Sequence, residues 1–228
     1  MLRKLTILLG VLATAAVPAV AQPAPPEKDR HVFDIFRDGS KIGTEVVEID
    51  KNGDTTKIKF TTHISVVVMF IQAYHFDHSA TETWSGGHFV SFKSSTDDNG
   101  TKHEVSAVAK KDAVDLVVDG KESEASADLV PASWWCTDFV TRTDVLNAET
   151  GQPASIKVTD LGEEPVVENG TTIQAHHYKV SGDINRDLWF DGDNLVRLKL
   201  LGSDHSTIVS DLAPDSEAAH SPDSEAAH

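Results

Sequence analysis

The sequence predicts a mainly β fold: a single antiparallel meander curled into a half-barrel or barrel, with one helix packed against it. Three observations predict it. Apolar residues recur with a period of two, glycine turn dipeptides punctuate the chain at regular intervals, and only one segment carries a helical pattern.

The elements follow in chain order. Arg3 and Lys4 make a basic start, Leu5 to Val17 is apolar, and Ala19-Val20-Ala21 is a small-x-small cleavage site before Gln22. Residues 1–21 therefore read as a secretory signal peptide, too short to span a bilayer, and the address they predict is a Gram-negative periplasm. No Cys follows the cleavage site, so no lipid anchor is expected. Residues 22–30, "QPAPPEKDR", read as a disordered leader.

Strands are expected near 31–38, 41–51, 54–69, 72–84, 88–97, 101–110 and 113–119. More are expected near 155–160, 164–168, 171–182, 187–191, 194–201 and 205–211. Ile58, Phe60, Ile64, Val66 and Val68 alternate with Lys57, Lys59, Thr61, His63 and Ser65, as one buried and one wet face require. Val114, Leu116 and Val118 repeat the pattern, as do Val196, Leu198 and Leu200. Asp38-Gly39, Asn52-Gly53, Gly86-Gly87, Asn99-Gly100, Asp119-Gly120, Asn169-Gly170 and Asp191-Gly192 supply the positive φ of tight hairpins. A dozen such strands twist too strongly to stay flat, and curling also limits exposed edges.

The helix is expected over 137–149, "TDFVTRTDVLNAE", capped by Thr137 or Asp138 and ended by Gly151. Residues 31–212 make one β domain. Residues 213–228 repeat PDSEAAH and read as a disordered tail.

Charge narrows the function. The chain carries 20 Lys plus Arg against 36 Asp plus Glu, a net charge of −16. Loss of Arg3 and Lys4 with the signal peptide moves this to −18. Such a chain repels phosphate backbones and anionic membranes, so no nucleic-acid partner is expected. One Cys permits no internal disulfide, so the fold rests on its core.

Four stretches resemble a known family when taken together. They are "FDIFRDGSKIGTEVVEI", "TETWSGGHFVSFKSSTDDNG", "PASWW" and "YKVSGDINRDLWFDGDNLVRLKL". Their order resembles exported proteins of unknown function related in shape to the lipoprotein-carrier (LolA/LolB-like) superfamily. The resemblance covers most of residues 31–211. It implies a curved antiparallel sheet with an apolar interior, capped by helix, and a hydrophobic ligand. The chain departs from a true lipoprotein carrier in lacking its several helices.

Two places carry candidate chemistry. On strand 72–84, Tyr74, Phe76, His78, Glu82 and Trp84 share one face. Aromatic and polar groups mixed on an inward face suit an apolar body with a polar head; on an edge strand His78 and Glu82 would reach solvent instead. In "PASWWCTD", Trp134 and Trp135 point opposite ways, so that one lines a cavity mouth and one packs, or both serve as core plug. These seven residues are the expected ligand-binding set.

No catalytic residue is assigned. Cys136 as a thiolate at a helix start, or His78 as a base, would make a hydrolase-like periplasmic enzyme, but no nucleophile signature surrounds either. His75 and His78 lie three apart and face opposite ways on a strand, and His176 and His177 also diverge, so no metal is expected, nor any cofactor. Arg186 and Arg197 suit carboxylates or an anionic head group.

The functional expectation is an exported, soluble, non-catalytic binding protein for an apolar or amphipathic, lipid-like small molecule. It has no stable membrane anchor. The alternatives are the enzyme and a structural or interaction module with an envelope protein partner.

Overall fold

The computed structural model describes residues 27–168 and 170–214; the expected signal peptide over 1–21, residues 22–26 of the expected leader and the expected tail from 215 lie outside the described residues. The first half of the fold is an eight-stranded meander. It comprises β1 (Glu27–Arg37), β2 (Ser40–Asn52), β3 (Thr55–Val68), β4 (Ile71–Ser85), β5 (His88–Asp98), β6 (Thr101–Ala109), β7 (Ala113–Val118) and β8 (Lys121–Ser126). The second half comprises β9 (Asp144–Leu146), β10 (Pro153–Glu168), β11 (Thr171–Gly182), β12 (Arg186–Asp191), β13 (Asn194–Leu201) and β14 (Thr207–Leu212).

All fourteen strands form one antiparallel sheet, ordered β8-β7-β6-β5-β4-β3-β2-β1-β14-β13-β12-β11-β10-β9. The sheet is open, with β8 and β9 at its edges. It is nonetheless strongly wrapped. Phe92 on β5 and Arg186 on β12 line the same hollow, although their strands are seven positions apart in the sheet. A flat sheet would separate them by roughly 33 Å.

The edges are handled differently. β8, with sequence KESEAS, is charged and mostly exposed, which discourages edge pairing. β9 is covered by the chain's own segment. The Leu146 N–H donates to Val130 O at 2.8 Å, and the Ala132 N–H donates to Leu146 O at 2.9 Å. Segment 127–143 thus leaves β8, crosses the concave face and docks on the opposite edge.

The expected helix over 137–149 is not formed, and no α-helix occurs among the described residues. A single 3₁₀ turn, Thr137–Thr141, takes its start, closed by the Arg142 N–H donating to Phe139 O. Three physical reasons act together. Thr137, Val140, Thr141, Thr143 and Val145 are β-branched and lose rotamer freedom in a helix. Val145 and Leu146 are both fully buried but in different cores, which strand alternation permits. Finally, the Asn147 side chain accepts the N–H groups of Glu149 and Thr150 at 2.9 and 3.0 Å, turning the chain where the helix would continue.

Other boundaries shift. The sheet takes in Glu27 to Arg30, at the end of the stretch read as a leader, because they pair with Glu48 to Lys51 of β2. β8 was not expected, since KESEAS has no apolar face. The strands expected at 155–160 and 164–168 are one strand, interrupted by a bulge between Asp160 and Gly162.

Two inner cores result. Phe33, Val47, Ile58, Phe60, Phe92, Val105 and Leu116 form one, against Leu129 and Val130 of the inserted segment. Phe139, Val145, Ile156, Leu188 and Phe190 form the other. A small third cluster holds Trp189, Val166, Ala175 and Val196.

Candidate functional site

Strand register stacks the inward side chains into rows, starting from the β3–β4 turn. The first row is apolar: Ile35 faces Gly43, Gly43 faces Ile64, and Ile64 faces Phe76. Gly43 is required here by close approach, because a Cβ would sit 2.2 Å from His63 O. The second row is polar: Glu45 faces Thr62, Thr62 faces His78, and His78 faces Thr96. The third returns to apolar Val47, Phe60 and Ala80, and the fourth sets Glu82 between Ile58 and Phe92.

Between the first rows and the inserted segment lies a hollow of about 140 Å³. Ile35, Ile64, Phe76, Leu198, Leu200 and Ile208 supply its apolar lining; Glu45, Thr62, His78, Glu149, Arg186 and Ser210 are polar; Trp134 closes one side.

The polar row is wired. The Thr96 hydroxyl donates to Glu149 O at 2.8 Å, and its oxygen lies 2.9 Å from His78 Nδ1. A hydroxyl has one proton, so Nδ1–H must donate to Thr96, and Nε2 is left as the acceptor. Burial pushes the His78 pKa down to about 4, so the ring is neutral. Glu45 accepts from the Thr62 hydroxyl at 2.6 Å. Burial raises its pKa, Thr62 opposes that, and the Glu149 charge adds to the rise. Arg186 lies 3.9 Å from Glu149.

The same chain of bonds latches the insert. Ser94 Oγ donates to Ala148 O at 2.7 Å beside the Thr96 bond. The 147–152 turn is therefore tied to β5.

The seven expected binding residues separate into two groups. Phe76, His78 and Trp134 line the hollow. β4 is an interior strand, so His78 and Glu82 face inward, not solvent. Tyr74 is half-buried beyond the first row, where burial and then Asp98 push its hydroxyl pKa up. Glu82, Trp84 and Trp135 form a separate buried knot. The Trp84 and Trp135 indoles donate to Glu82 Oε2 at 2.9 and 3.2 Å, and the two rings meet edge to face at 6.2 Å. Burial pushes the Glu82 pKa to about 7, against the opposing pull of Ser133 and the two indoles. The two neighbouring Trp do point opposite ways: Trp135 packs with the first core and Trp134 with Phe139 in the second.

Cys136 is half-buried, and its thiol is pushed up to about 12, by burial first and by the charges of Asp138, Glu82 and Asp193. It stands before a single 3₁₀ turn without the macrodipole of a helix. Arg197 pairs with Asp211 at 2.5 Å.

Arg186, which the sequence suggested for a carboxylate or an anionic head group, lines the hollow. Glu45, Thr62 and Glu149 line it, and Thr96 holds His78, without having been singled out as binding residues. A signal existed for two of them. Glu45 shares the parity of Val47 and Ile49, and Thr62 that of Phe60 and Ile64, so alternation alone turns both inward.

A wrapped antiparallel sheet plugged by its own inserted segment defines a β-barrel-like class of protein. It is similar to a solved structure described as a beta-barrel-like protein of domain of unknown function DUF1849 from Brucella abortus. The TM-score is 0.57 at 12% identity, covering 82% of this chain and 96% of that one. At that identity the likeness shows the fold alone. The particular family is given by residues 33–213, which match DUF6134, a domain of unknown function; the chain belongs to that family. No curated protein matches it.

Proposed function

We propose that this protein is a non-catalytic binding protein for an apolar or amphipathic, lipid-like small molecule, exported to the periplasm by residues 1–21. One observation carries the reading: an apolar row stands over a polar row in one hollow, so that a ligand with an apolar body and a polar end meets matching surfaces in order. His78 Nε2 offers an acceptor and Arg186 a cation. The resemblance to the lipoprotein-carrier superfamily supports the same class of ligand. A hollow of about 140 Å³ is smaller than the roughly 300–1,000 Å³ of drug-sized sites. It holds one end of the ligand, and the remainder lies along the apolar row.

The enzyme alternative gains little from the site. The Cys136 environment holds the thiol protonated, and the His78 Nδ1–H is committed to Thr96.

Native mass spectrometry of protein purified from its host tests the proposal. The expected result is a bound small amphiphile that is lost when Ile64→Trp fills the hollow. Protein that is consistently empty, and that takes up no fatty acid or lysolipid afterwards, would overturn it.

A further inference from the structure

β3 and β4 are among the longest strands, and their hairpin runs beyond the apolar row of the hollow to a two-residue turn. Val67, Val68, Met69, Phe70 and Ile71 form this tip, and all five are exposed; Met69 is 84% and Phe70 103% exposed. No charged residue occurs from Ser65 to Tyr74. Met69 and Phe70 hold φ of 46° and 67°. Asn and Gly adopt that conformation freely in tight hairpins, and bulky side chains adopt it at a cost. Every other two-residue hairpin turn between β1 and β8 has a glycine in it. The turn thus places two large apolar side chains at the furthest point of the hairpin, where nothing covers them.

We propose that this hairpin tip is a docking finger for a lipid bilayer surface, entering the interfacial region beside the apolar row. Three features favour lipid as the occupant. The apolar residues cover the tip and both flanks without a defined shape, and a fluid lipid surface needs none. Val67 pairs with Gln72 and Val68 with Ile71 up to the turn, with one bulge at Ala73, so few polar groups are stranded in an apolar medium. The tip also adjoins the row formed by Ile64 and Phe76, so the hollow meets the surface that the finger enters. The chain's net charge of −16 restricts the surface to zwitterionic lipid, because anionic headgroups repel it.

Vesicle docking and cavity loading are separate events with separate measurements, so either can fail alone. Flotation of the purified chain with protein-free phosphatidylcholine vesicles tests the finger. Wild type is expected to float, to persist at about 0.5 M salt, where surface charge is screened, and to weaken as anionic lipid is added. Phe70→Asp is expected to lower the partition roughly tenfold or more, since it removes buried apolar area and adds charge. Because Phe70 packs on nothing, this variant folds; circular dichroism checks it. Phe70→Trp supplies an independent reading, a blue-shifted emission quenched by brominated lipid. Wild type that stays with the soluble fraction, Phe70→Asp that floats unchanged, or an unquenched Trp at 70 would overturn the proposal. Capture of an envelope protein by a finger that ignores vesicles would likewise overturn it.

Discussion

Trp84 and Trp135, 51 positions apart in the chain, donate their indole N–H groups to one carboxylate oxygen, Oε2 of Glu82. One tryptophan belongs to β4 and the other to the inserted segment, so the shared acceptor ties the plug to the sheet. The second oxygen, Oε1, is buried without a hydrogen-bond partner. An ionised Glu82 is therefore under-solvated, and its pKa rises to about 7 from the ordinary 4.5.

That shift fixes a pH dependence. The folded state holds the Glu82 proton up to about pH 7, while the unfolded chain releases it near 4.5. Its contribution is fully present below 4.5 and is lost as pH rises towards 7, by about 3 kcal/mol at most. Glu82→Gln should abolish this loss and raise stability by about 1–3 kcal/mol at about pH 8, with little change at about pH 4. His78 acts in the opposite sense: with a folded value of about 4 against 6.5, stability falls as pH drops through that window. In Glu82→Gln the Glu82 component should vanish while the fall caused by His78 at low pH persists. Urea denaturation across pH measures both, and a variant with the wild-type pH profile would contradict the assignment.

The latch between β5 and the 147–152 turn predicts a graded loss. Thr96→Val strands the Glu149 carbonyl and the His78 N–H together and should cost about 1–3 kcal/mol. Ser94→Ala should cost about 1 kcal/mol. Ser95→Ala, whose exposed bond to Glu104 lies on the other face, should change stability by less than about 0.5 kcal/mol. Thermal denaturation ranks the three, and a Ser95 variant as damaging as Thr96→Val would refute the latch.

Gly151 should resist replacement. Its φ is +71°, and a Cβ would meet Val118 Cγ2 at 2.7 Å and Val105 Cγ2 at 2.8 Å. Gly151→Ala should therefore cost roughly 1–3 kcal/mol through backbone strain and overpacking together. Adding Val118→Ala should recover only the packing part, a coupling that a double-mutant cycle reads directly.

Cys136 should be chemically quiet. A thiol at about 12 instead of 9 forms roughly a thousandfold less thiolate at neutral pH. Alkylation by iodoacetamide should be slower in proportion in native protein and ordinary in urea. A native rate equal to that of a free thiol would reopen the enzyme alternative.

The hairpins were legible because their signals are local. Asn52-Gly53 and Asp119-Gly120 prescribe turn geometry within two residues, and the alternation around Ile58 and Phe60 prescribes which face is buried. The same parity turned His78 and Glu82 inward once β4 was known to be an interior strand. The segment 137–149 misled for the opposite reason. Its apolar spacing fits a helix, yet Val145 and Leu146 bury themselves in two different cores, and those cores exist only after β5 and β12 have been brought round to the same hollow.

By itself, then, the amino-acid order determined the strand pattern, the turns and the acidic composition. Each is a property of near neighbours or of composition. Tertiary structure alone decided that the segment expected to pack as a helix would cross the concavity as a 3₁₀ turn and extended chain and join the far edge as β9, and that Trp84 and Trp135 would share one carboxylate. It also decided that a polar row would lie beneath an apolar one. Those relations join residues tens of positions apart, and their energies depend on burial and register that appear only when the whole sheet wraps.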